Sequence, residues 1–200
     1  MRLIMAAVVS LFVFKANAMI WFEPMVSYEA SGTTAIEYTA AGQASKGVSK
    51  ENGTHTGGVN YGGRLGYLFD SNKFWFAGEY MASADGQIKY DTHEDKYTRE
   101  SMGADIGMWF DRWNLWVGYN FQDTLNVTRI NVTEKDVIKG TAIRLGIGYM
   151  IFRHVVLNVE GALRTYTEGK STTDTVTNDF PNYIKTFTQT TVNVGLSFPF

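Results

Sequence analysis

The chain has 200 residues, a formal net charge of −2, 20 glycines, three prolines, no cysteine and 14% aromatic residues. That length holds one domain, and the glycine- and aromatic-rich, proline-poor composition points to many strands rather than to disorder. A near-neutral charge supplies no basic field for nucleic acid, and the lack of cysteine excludes disulfides and a lipidated N-terminal cysteine.

Residues 1–18 read as a secretory signal peptide. Arg2 forms a positive n-region, Leu3 to Phe14 an apolar h-region, and Ala16-Asn17-Ala18 a small-residue cleavage site. The apolar run is about a dozen residues, too short for a membrane helix, which needs about 20. The mature chain is expected to start at Met19, and residues 19–200 are expected to form one domain.

From Met19 onward the pattern has period two, the signature of strands whose side chains alternate between faces. Apolar residues alternate with polar or small ones in Ile20, Phe22, Val26, Tyr28; in Val59, Tyr61, Leu65, Tyr67; and in Phe74, Phe76, Tyr80. The pattern continues through Met102 to Phe110, Leu115 to Phe121, Ile143 to Tyr149 and Val155 to Leu163, and ends with Val192, Val194, Leu196, Phe198 and Phe200. This predicts an all-β fold of eight antiparallel strands in up-and-down order. No segment reads as a helix.

Connections alternate in length. They are tight at 70–73, 111–113 and 152–154, and long around 31–57, 85–98, 123–139 and 167–182, where Thr, Ser, Asn, Gly and Lys predominate. Short turns on one side and long solvated loops on the other are the asymmetry of a transmembrane β-barrel, with both ends of the barrel on the short-turn side.

Which face meets lipid is decided by the non-aromatic face. It carries Glu23, Arg64, Glu79, Asp105, Asn120, Arg144, Glu160 and Arg164, but also Gly62, Gly66, Gly103, Gly107, Gly118, Gly146, Gly148 and Gly195. A solvent face does not need glycine, whereas a narrow lumen does, because small positions beside large ones let long side chains fit. The charged face therefore points inward. Aromatics near the short turns, such as Phe74, Phe110 and Trp113, and tyrosines near the long loops mark two lipid interfaces.

The last strand, TVNVGLSFPF, alternates apolar residues up to a final aromatic and is similar to the C-terminal motif of Gram-negative outer-membrane barrels. With the leader and the strand count, residues 19–200 resemble the small eight-stranded OmpA/OmpX-like barrels. The resemblance implies a bacterial outer-membrane location, with outer-membrane lipid and lipopolysaccharide around the wall. It also implies insertion by the barrel assembly machinery, with Val194, Leu196, Phe198 and Phe200 as the assembly signal.

Counted from the short turns, Arg64, Glu79, Asp105, Arg144 and Glu160 lie about six or seven residues up their strands, near 20 Å at about 3.3 Å per residue. They are expected to form one ionic layer in the lumen, with Arg164 a layer higher and Glu23 somewhat lower. Buried charges persist only when paired and hydrogen-bonded. Trp75, Trp109 and Trp116 are expected to point inward near the periplasmic end.

No constellation for chemistry emerges. His154 lies at a turn, and His55 and His93 fall in loops without a suitably spaced serine, so no catalytic residue is assigned. Asp91, His93, Glu94 and Asp95 read as a solvated cluster rather than a metal site, and the glycines at 57–63 lack the Lys-Ser/Thr of a phosphate loop. No cofactor is expected. The sequence favours a non-enzymatic monomer with a structural or surface-interaction role carried by its long loops. The alternative is a narrow or gated channel for ions or small apolar solutes.

Overall fold

The computed structural model describes residues 19–69, 73–129, 135–171, 180 and 182–200, so the proposed leader lies outside the described residues. The strands are β1 (Met19–Tyr38), β2 (Lys50–Thr56), β3 (Val59–Leu68), β4 (Phe74–Tyr90), β5 (Glu94–Phe110), β6 (Trp113–Arg129), β7 (Lys135–Phe152), β8 (Val155–Ser171) and β9 (Ile184–Ser197). Each pairs antiparallel with its neighbours, and β9 pairs with β1 to close the ring. Below the last paired residues the seam continues, since Phe200 exchanges backbone hydrogen bonds with Phe22 at 2.9 and 3.2 Å. Closure leaves the sheet no unpaired edge, the condition for strands that face hydrocarbon.

Nine strands make an eight-stranded barrel because β2 and β3 are one barrel strand, interrupted at Gly57 and Gly58, both with positive φ (73° and 117°). The register on β1 is the same above and below the break: Tyr28 faces Val59, and Gly32 faces His55. Glycine suits the interruption because a Cβ is unfavourable at those dihedrals.

The strands run well beyond the segments of clearest alternation. The stretch at 85–98 is mostly strand, with a turn at 91–93, and 31–57 contains the upper part of β1, all of β2 and a short helix α1 (Ala40–Lys46). The expectation of no helix is corrected here. Thr39 caps the helix by accepting from the Gly42 N–H, and Gly47 closes it in the left-handed conformation at φ 75°.

The longer strands hide in the sequence because their alternation slips phase. Register shifts lie between Glu29 and Ser31 in β1, Ser83 and Gly86 in β4, Asn120 and Asp123 in β6, and opposite Lys139 and Gly140 in β8. Each bulge adds a residue, so inward positions change parity: Glu23 and Met25 below, Thr34 and Ile36 above.

Candidate functional site

The outer wall up to Tyr28, Tyr61, Tyr80, Tyr119 and Phe121 is apolar. Leu65, Ile106, Leu145 and Leu163 are 52–68% exposed, with no protein covering them. Above that level the outer face turns polar, with Thr33, Lys89, Lys96, Thr98, Lys139 and Thr165 exposed. The change marks the upper edge of the lipid-facing band.

The lumen is filled in layers. At the short-turn end Trp21, Trp75, Trp109 and Trp116 cluster with Leu68 and Val156. The space for these rings comes from glycine: a Cβ at Gly107 would collide with Trp75, and one at Gly146 with Trp116. Trp75 also donates its indole N–H to Asn114 at 2.9 Å.

On this floor rests a first ionic layer. Arg64 Nε donates to Asp105 at 2.6 Å and to Glu79 at 3.0 Å, and its Nη1 reaches Glu23 at 3.4 Å. Arg144 pairs with Asp105 at 2.5 Å, with Glu160 at 3.4 Å and with Glu79. The Arg64 guanidinium lies 4.0 Å above the Trp116 ring, so the aromatic floor adds cation–π support. Ser197 donates to Glu23 at 2.5 Å, and Asn193 donates to Glu160 at 3.1 Å. Glu23, Arg64, Glu79, Asp105, Arg144 and Glu160 thus meet in one layer, with Glu23 touching Arg64 directly.

Arg164 is not in that layer. It belongs to a second ionic layer, where its Nε donates to Asp123 at 3.2 Å and its Nη1 to Thr191 at 2.5 Å. Arg99 joins Glu29 at 3.2 Å, Gln189 at 2.8 Å and Asp123 at 3.7 Å. Tyr97 donates to Glu29 at 2.7 Å and Tyr166 to Asp123 at 3.0 Å. Between the two layers remains a small polar chamber of about 30 Å³, lined in part by Asn60, Ser101 and Asn120.

Sequence reasoning missed Glu29, Arg99, Asp123 and His55: Glu29 and Asp123 flank bulges and His55 lies across the Gly57–Gly58 break, where the alternation changes phase, whereas Arg99 keeps the phase of Asp105 along β5 and lies just outside the segment of clearest alternation, Met102 to Phe110. His55 is corrected from a loop residue to a strand residue, 4% exposed and inside the barrel. Its Nδ1 lies 2.9 Å from Glu29, and its Nε2 meets the Thr34 hydroxyl, which in turn accepts from Gln189 at 3.2 Å. A neutral imidazole protonated at Nδ1 completes this chain of donors and acceptors. β2 lies above the lipid-facing band, and burial lowers the His55 pKa below its ordinary value, against the upward pull of the Glu29 carboxylate.

Above the second layer the interior becomes apolar. Ile36, Tyr38, Ile88, Tyr90, Leu125, Val127, Ile138 and Phe187 pack together inside the long-loop end of the barrel. This core forms the floor of a cup of about 850 Å³, whose wall includes residues of α1, β2 and the β4–β5 turn. His93 stands in that wall, stacked 4.6 Å from Tyr90 and 3.5 Å from Asp95. Asp91, Glu94 and Asp95 share the wall, and among the described residues no group of three or more potential ligands is close enough to hold a metal ion.

A closed eight-stranded ring, greasy outside and ionic within, defines the class: the fold is that of a small outer-membrane β-barrel. No family model matches the chain, and no curated protein sequence does. Solved structures with a similar course include neisserial surface protein A, 14% identical, with 91% of this chain and 98% of that chain covered and a TM-score of 0.48. Ail of Yersinia pestis, in complex with the heparin analogue sucrose octasulfate, is 11% identical over 90% of this chain and 99% of its own, with a TM-score of 0.47. OprG of Pseudomonas aeruginosa is 12% identical over 93% and 97%, with a TM-score of 0.46.

Proposed function

We propose that this protein is a monomeric, non-enzymatic barrel of the bacterial outer membrane, closed to solute flow, whose role is structural or interactive and is exerted at its extracellular end. The observation that carries this reading is the filled lumen: a tryptophan floor and two ionic layers cross the axis, with Arg64, Glu23, Asp105 and Asp123 at most 1% exposed. An interior of eight strands is just wide enough for its own side chains. Export by the leader at 1–18, contact with lipopolysaccharide, and insertion by the barrel assembly machinery through Val194, Leu196, Phe198 and Phe200 belong to the same proposal.

The competing reading makes the ionic layers a gate. Planar-bilayer recordings of the wild type and of Arg144→Ala separate the two. Negligible conductance in both is the expected result. Discrete openings in the wild type, or openings created by the substitution, would replace the sealed plug with a gated channel.

A further inference from the structure

We propose that the extracellular cup is a binding site for an organic ammonium ion with an apolar body, an inference that rests on the reading that function resides at this end of the barrel. Size is the first argument. A cup of about 850 Å³ falls within the roughly 300–1,000 Å³ of ligand sites, whereas the chamber between the ionic layers, about 30 Å³, holds only water.

Chemistry of the lining is the second. Ile36, Val127 and Ile138 give the floor an apolar surface, and Tyr38, Tyr90, Phe180, Tyr183 and Phe187 add aromatic rings to the lining. Flat apolar surface of this kind takes a hydrocarbon or aryl body. Aromatic rings also attract a ligand ammonium through their negative faces, as they do in sites for quaternary ammonium groups.

Charge is the third and selects the sign. Among the described residues the lining carries Glu51, Asp91, Glu94, Asp95 and Asp136 against Lys46 and Lys50, five carboxylates to two ammonium groups. Glu51 is held in place by Tyr38, whose hydroxyl donates to it at 2.6 Å, and its other carboxylate oxygen lies 3.8 Å from His93. An anionic amphiphile would meet net repulsion here, and a neutral one would desolvate the acids without compensation. An inorganic cation needs a tight set of oxygen or nitrogen ligands, and the described residues gather no such set. An organic ammonium uses both features of the cup: its charge faces the acidic wall and its body covers the apolar floor.

The test is calorimetric titration of the full chain, refolded in phosphatidylcholine nanodiscs, with 4-phenylbutylammonium and with its acid counterpart 4-phenylbutyrate, empty discs being subtracted. The cation is expected to bind saturably at one per barrel, about tenfold or more tighter than the anion, and to weaken with salt. Glu51→Gln with Glu94→Gln should weaken the cation about five- to tenfold, and Val127→Trp, which fills the floor, should abolish binding. Heat-modifiable gel migration shows that each variant is folded. Equal binding of both probes, no saturable binding to a folded barrel, or an unaltered affinity in the Gln double variant would overturn the proposal. Conductance in the wild type overturns the sealed-barrel reading instead, and leaves the titration to be judged on its own result.

Discussion

The barrel is built to opposite rules on the two sides of its tyrosine ring. Below it, lipid-facing positions such as Leu145 are apolar while Arg64, Glu79, Asp105 and Arg144 fill the lumen; above it, Lys89, Lys96 and Thr98 face out while Ile88, Leu125 and Phe187 fill the lumen. The same ring of strands passes through both, so the backbone does not set the polarity. The surroundings do. Hydrocarbon rewards an apolar exterior and forces polar groups inward, whereas water rewards a polar exterior and lets an apolar core form inside. The two regions meet at the second ionic layer, which is sealed below by polar contacts and above by hydrophobic ones.

The comparison is broken most severely by Arg64→Ala. It leaves Glu23, Glu79 and Asp105 with less positive charge in a buried layer, so urea unfolding in lipid should show a loss of about 3–5 kcal/mol or failure to refold. Exchanging the rules of the two regions sharpens it. Leu145→Arg puts a charge into lipid and should cost about 2–4 kcal/mol, while Lys89→Ala on the polar upper wall should stay within about 0.5 kcal/mol. In the upper core, Leu125→Ala should cost about 2–3 kcal/mol, because the cup above lets its neighbours relax.

The smallest effect is a pH dependence confined to the upper region. The unfolded chain protonates its imidazole as pH falls through about 6.5, whereas folded His55, held low by burial, takes up its proton only at lower pH. The stability it contributes is therefore fully present above pH 6.5 and is lost as pH falls from there toward the folded value. Urea midpoints should fall between pH 7.5 and pH 5.5 in the wild type and fall less in His55→Gln. An equal fall in both would show that His55 is not buried neutral.

Period-two alternation, the glycine-bearing charged face and the aromatic positions were enough to read eight strands, their order and the inward direction of Arg64, Glu79, Asp105 and Arg144. They sufficed because lipid imposes one polarity on every strand, and strand pairing repeats it around the ring. Tertiary structure alone decided that the strands continue past the membrane, that Gly57 and Gly58 join β2 to β3, that α1 forms, and that Arg164, read from the sequence as a layer higher, meets Asp123 there beside Arg99. Each of these depends on a bulge that shifts side chains between faces, or on partners brought together from distant strands. A bulge adds one residue to the chain and leaves no mark in composition, so the face a side chain occupies beyond it is known only once the neighbouring strands are in place.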